Sequence, residues 1–188
     1  MELEVAVNLS MRNLLDVEFP ATVGSLLAKW AVEPRFLNLE MTEGTIMADP
    51  FRAMSVLRRL SEMGVRLAID DFGTGYSSLA YLKRLTVNEI KIDRSFVMNM
   101  TNDENDAVIV RSTIDLGRNL GLEVVAEGVE SREAWAALEE LGCDLAQGFY
   151  LSRPVPPEML TAWLRERRTR PDRPLRIVDG PELAVEAS

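Results

Sequence analysis

Hydrophobic residues fall into short alternating or β-branched runs, most of them followed by a stretch at helical period. The runs Val5 to Leu9, Phe36 to Met41, Arg66 to Ile69, Glu89 to Ile92, Glu123 to Ala126 and, more weakly, Leu145 to Leu151 predict six strands. Pro50 to Met63, Ser77 to Arg84, Asn105 to Leu120, Arg132 to Leu141 and Pro156 to Arg167 read as amphipathic helices, with Gly64, Gly121 and Gly142 where helix C-caps belong. Strand alternating with helix implies parallel strands joined by right-handed crossovers, hence either an open doubly wound sheet or a (β/α)8 barrel. From Arg168 the helical period is lost and prolines and mixed charges take over. That change predicts a domain over residues 1–167 and a flexible tail over 168–188.

The polar residues sharpen this picture through their position. Asn8 follows Val5 to Val7, and Glu40 and Glu43 follow Phe36 to Leu39. Asp70 and Asp71 close the third run, Lys91 and Asp93 sit in the fourth, Glu127 closes the fifth, and Gln147 begins the last. In parallel α/β folds the C-terminal strand ends form the ligand face, so these groups are expected to converge there. Converging carboxylates repel unless a cation lies among them, and an oxygen-rich set with one lysine, one Asn and one Gln suits Mg²⁺ or Mn²⁺ rather than zinc. Two ions about 4 Å apart are a common device for phosphodiester hydrolysis.

Each residue alone has a plainer reading. Asn8 with Ser10 can cap a helix, Glu40, Glu43, Glu127 and Glu130 can be carboxylates near helix starts, Lys91 can point outward from a half-exposed strand, and Gln147 can belong to a turn. The joint placement at the same end of successive strands weakens that set of explanations. The loop Asp70 to Ser78, with Gly73, Thr74 and Gly75, is either a mobile segment beside a metal ligand or a tight β-to-α turn. It is no Walker loop, because no Gly-Lys-Ser/Thr follows.

Composition narrows the chemistry. The 188 residues contain no histidine, which removes Ser-His-Asp and Cys-His catalysis and imidazole zinc sites. The formal charge of −9 argues against a nucleic acid polymer as partner. One cysteine, Cys143, forms no internal disulfide and reads as a small buried apolar residue. No long apolar run predicts membrane insertion and no signal peptide is evident, so a cytoplasmic globular protein is expected.

The motifs NLS (Asn8 to Ser10), ExTE (Glu40 to Glu43), DDFGTGYSSL (Asp70 to Leu79), KIDRSF (Lys91 to Phe96), AEGVE (Ala126 to Glu130) and GCDLAQGFYLSRP (Gly142 to Pro154) occur in order. Together they resemble the EAL family of cyclic di-GMP phosphodiesterases, from Val5 to about Leu164. The resemblance implies a (β/α)8 TIM-type barrel, here incomplete with about six of eight strands. It implies Asn8, Glu40, Asp70, Asp71 and Glu127 as ligands of two Mg²⁺ or Mn²⁺ ions, with Asp70 bridging. Lys91 and Gln147 would act with Asp70 and Glu127 on the attacking water, Glu43 would anchor the flexible Gly73-Thr74-Gly75 loop, and Asp93 and Glu130 would support the site. The implied reaction opens cyclic di-GMP to linear pGpG. The family's Glu-Ala-Leu motif lies upstream of NLS, so its glutamate is expected outside this chain. That leaves two further readings, a non-catalytic cyclic di-GMP-binding or interaction module and an inactive fragment. A homodimer, or sensory and cyclase domains upstream, are the expected partners besides cyclic di-GMP.

Overall fold

The structure, a computed structural model, describes residues 3–75, 79–167 and 176–177. The chain divides into two compact units: Met1–Lys91 with Leu116–Glu123, and Ile92–Asp115 with Val124–Ser188. All six expected strands are present: β1 (Val5–Asn8), β2 (Leu37–Thr42), β3 (Arg66–Phe72), β4 (Glu89–Ile92), β5 (Glu123–Glu127) and β6 (Leu145–Gln147). A seventh, β7 (Arg176–Ile177), lies within the expected tail, whose remaining residues are outside the described ones. The last expected strand ends early, at Gln147 rather than Leu151. Gly148 turns the chain there, and a Cβ on it would lie 2.2 Å from the Val129 carbonyl oxygen.

In the first unit β1, β2 and β3 are parallel neighbours, with Asn8 opposite Glu40 and Thr42 opposite Asp70. The helices are α1 (Met11–Leu14), α2 (Phe19–Trp30), α3 (Glu43–Met47), α4 (Pro50–Glu62) and α5 (Leu79–Leu82). Helix α5 covers part of the expected Ser77 to Arg84 segment, whose first two residues are outside the described ones. The chain enters α4 through Asp49, which accepts from Arg52 N at 3.2 Å, and Pro50 supplies a first-turn residue with no N–H to satisfy. Ala53, Val56, Leu57 and Leu60 then recur on one face of α4 and are buried. They meet Leu39 and Met41 of β2 and Leu67 and Ile69 of β3 in one apolar cluster. Strand β1 contributes little to that burial, and Val5 and Val7 remain about half exposed.

The second unit pairs β5, β6 and β7 in parallel, with Val125 opposite Leu145 and Glu127 opposite Gln147. Its helices are α6 (Arg94–Asn99), α8 (Arg132–Leu141), α9 (Pro157–Arg167) and the first part of α7 (Glu104–Leu120). Helix α8 opens on Ser131, whose hydroxyl accepts from Ala134 N at 3.1 Å, and closes on Gly142 at φ 70°, the left-handed cap the sequence predicts. Ile92, Val97, Val110, Ile114, Val124, Ala126 and Leu138 form the core of this unit. Among the described residues no helix is long and apolar enough to cross a membrane.

Candidate active site

Strands β2, β3 and β4 are buried on both faces, and their sequence divides those faces by parity. Leu39, Met41, Leu67, Ile69 and Ile90 point into the apolar cluster. The alternate residues are Asn38 and Glu40 on β2, Arg66, Ala68 and Asp70 on β3, and Glu89 and Lys91 on β4. A second face so rich in charge stays buried only if the charges pair.

They pair in two levels. Towards the C-terminal strand ends, Lys91 Nζ lies 2.8 Å from Glu40 Oε1 and 3.4 Å from Asp70 Oδ1. Lys91 is 4% exposed and Glu40 8%, which rules out an outward lysine and a solvated glutamate at these positions. Towards the N-terminal ends, Arg66 reaches Glu4 at 3.2 Å, Glu89 at 3.6 Å and Glu123 in closer contact. Asn38 Nδ2 donates to both Glu89 oxygens at 3.3 Å. Burial pushes the Glu89 carboxyl up to about 7, against the opposing pull of Arg66.

The end of β3 breaks the regular pleat. Asp71 adopts φ 52°, a left-handed conformation uncommon outside glycine, although Asp and Asn tolerate it best. Regular alternation would send neighbouring carboxylates to opposite faces. Instead an oxygen of Asp70 and one of Asp71 lie within 4.8 Å of each other. Asp70 Oδ1 is buried and makes no hydrogen bond, with Lys91 Nζ 3.4 Å away as its charge partner. An oxygen donor set of this kind fits a hard divalent cation.

Glu43, 9% exposed, is the first residue of α3 and accepts from Gly73 N at 3.2 Å. A Cβ at Gly75 would lie 2.7 Å from Glu43 Oε2, so a larger residue there would displace the end of that side chain. Thr74 turns back on the strand end, its N and Oγ1 donating to Asp71 O at 3.3 and 2.9 Å. Asn8 is exposed at the end of β1, and the following Leu9 N donates to Glu40 O at 2.7 Å. Ser10 caps α1, accepting from Asn13 N, so the expected capping role falls to Ser10.

The remaining sequence-predicted residues belong to the second unit. Glu127 is half-buried at the end of β5, opposite the exposed Gln147 of β6. Gly128 follows at φ 68°, where a Cβ would meet Arg94 Cβ at 2.5 Å. Val129 N donates to Gln147 O at 3.0 Å and Tyr150 N to Val129 O at 2.9 Å, which fixes the two loops to one another. Asp93 caps α6, accepting from Ser95 N at 2.9 Å, and Glu130 is exposed next to the Ser131 cap. The Cys143 thiol is pushed up to about 11 by burial and so stays protonated, which leaves it no nucleophilic role. Sequence reasoning missed Asn38, Arg66, Glu89 and Glu123. The signal was their spacing, two or four residues before Glu40, Asp70, Lys91 and Glu127 on the same strands.

Comparison with known proteins gives a consistent result. The sequence profile of the EAL domain matches residues 1–154. The bifunctional diguanylate cyclase/cyclic di-GMP phosphodiesterase MucR of Pseudomonas aeruginosa is 48% identical over 158 residues, 84% of this chain and 23% of that protein. The cyclic di-GMP phosphodiesterase NbdA of the same organism is 43% identical over 177 residues, 94% of this chain and 23% of that one. The chain thus spans about a quarter of the length of these relatives. The solved MucR phosphodiesterase, in complex with cyclic di-GMP, superposes with a TM-score of 0.80 at 47% identity, covering 84% of this chain and 64% of that one. The Klebsiella pneumoniae BlrP1 complex with manganese and cyclic di-GMP gives 0.76 at 34% identity, covering 81% and 39%. The α/β fold with parallel strands is that of these barrel structures, and the chain belongs to the EAL domain family.

Proposed function

We propose that this chain forms the larger part of a cyclic di-GMP phosphodiesterase domain that opens its substrate to linear pGpG with two Mg²⁺ or Mn²⁺ ions. The single observation that carries the reading is the buried Lys91 held by Glu40 and Asp70, beside the Asp70–Asp71 pair at the break in β3. The likeness to MucR and NbdA supports the substrate, and the manganese complex of BlrP1 supports the metal.

In this reading Asn8, Glu40, Asp70 and Asp71 hold the ions, with Glu127 serving the second. When bound, the ions lower the pKa of water and neutralise charge that develops on phosphoryl oxygens. Lys91 carries an ammonium already oriented by two carboxylates, so it can hold a water by hydrogen bond and offset a phosphodiester's charge without reorganising. Gln147 helps hold that water, Glu43 steadies the loop through Gly73, and Asp93 and Glu130 shape the neighbouring turns. A cytoplasmic location belongs to the same reading.

The test uses the full-length protein that contains this chain. With Mn²⁺ it should convert cyclic di-GMP to pGpG, and Asp70→Asn should abolish turnover and weaken Mn²⁺ binding, followed by calorimetry, at least about tenfold. Equal turnover by the variant would remove Asp70 from the site. Nucleotide binding without turnover in the unaltered protein would favour a non-catalytic module instead.

A further inference from the structure

On the outer face of the first unit, away from the buried strand face, lies a surface cavity of about 330 Å³. Phe51, Met54, Ser55 and Arg58 line it from α4, and Arg84 and Thr86 from the segment between α5 and β4. The α4 residues recur at positions 51, 54, 55 and 58 because the opposite face of that helix is spent on the core. Phe51 is 80% exposed, the largest exposure among the large apolar residues described. Two guanidinium groups stand beside it in a chain whose formal charge is −9. Among the described residues Arg58 meets only Glu62, at 3.8 Å with both side chains two-thirds exposed, and Arg84 forms no ion pair.

This combination selects a chemical class. Two arginines offer paired donors that match a phosphate, and the Ser55 and Thr86 hydroxyls add neutral ones. An exposed phenyl ring next to a thioether offers a stacking platform for a planar ring, and the volume lies at the small end of organic ligand sites. We propose that this cavity is a peripheral binding site for an aromatic phosphate of the nucleoside monophosphate class. It shares no residue with the proposed catalytic site, so the proposal stands or falls apart from that reading.

The probe is GMP, titrated into the 188-residue chain by calorimetry with EDTA present, which keeps divalent ions out of the carboxylate site. GMP should bind saturably, and guanosine and inorganic phosphate should each bind at least about tenfold more weakly, since each keeps only half of the recognition. Phe51→Ala and Arg84→Gln should each lower GMP affinity about tenfold, and Arg58→Gln should do so less, because Glu62 already competes for it. These side chains are exposed, so circular dichroism melting curves should be unchanged. Absence of saturable GMP binding overturns the proposal. So does unchanged affinity in Phe51→Ala and Arg84→Gln, which would place GMP elsewhere, or phosphate binding as tightly as GMP, which would reduce the site to an ion contact.

Discussion

The two units hold their predicted site residues by different means. In the first, Glu40, Asp70 and Lys91 project from strands buried on both faces and are fixed by one another's charge, with Arg66 and Glu89 forming a further charged level. In the second, Glu127 and Gln147 sit on adjoining strand ends whose loops are fixed by backbone hydrogen bonds and by glycines packed against main chain. Charge pairing ties geometry to protonation, whereas backbone packing ties it to volume. Ionic substitutions are therefore expected to act first on the Glu40–Asp70–Lys91 group, and added atoms at Gly148 on the loops of the second unit.

The largest effect should come from removing one partner of the buried pair. Lys91→Met keeps the side-chain length but leaves Glu40 buried without its cation, and a loss of roughly 3–5 kcal/mol in urea unfolding is expected. A loss under about 1 kcal/mol would mean that solvent reaches Glu40 and that the charges are not interdependent.

The next effect is specific to pH. Because the folded Glu89 carboxyl keeps its proton to about 7 while the unfolded one releases it near 4.5, the folded state binds more protons between those values. Stability should fall as pH rises through that window and stay low above it, by on the order of 2–3 kcal/mol. Glu89→Gln cannot titrate, so its urea midpoints at pH 5 and pH 8 should differ less than those of the parent. Parallel behaviour of the two proteins would locate the pH dependence elsewhere.

The smallest stability effect should be in the second unit and should ignore pH. Gly148→Ala places a methyl against the Val129 backbone, which cannot swing away as a side chain would, and a cost of roughly 1–3 kcal/mol is expected. Equal costs at pH 5 and pH 8 would keep the contrast between the units, and a pH-dependent cost would erase it.

Much of the fold was legible because alternation and helical period are local. The six strands announce themselves through residues two apart, and helices such as α4 and α8 through residues three or four apart. Helix α2 was not among the expected helices. Pro20 lies in its first turn, where no N–H is missed, and a Cβ on Gly24 would lie 3.1 Å from Met63 Cε, the far end of a flexible side chain. The short pairing of Arg176 and Ile177 with β6 has no local signature at all. In the site, Glu40, Asp70 and Lys91 were suggested by their place at strand ends. The Asn38–Glu89 and Arg66–Glu123 contacts join residues 51 and 57 positions apart and need the strand register to be seen.

The left-handed backbone at Asp71 carries one more implication. A residue with a Cβ gives up about 1 kcal/mol there relative to glycine. A search for heat-tolerant variants, blind to chemistry, would be drawn to Asp71→Gly, while, on the proposed role of Asp71 as an ion ligand, selection for cation affinity would reject it. Position 71 is thus where robustness and reactivity make opposite demands on a single side chain, and a pooled mutational survey scored both ways should show that conflict directly.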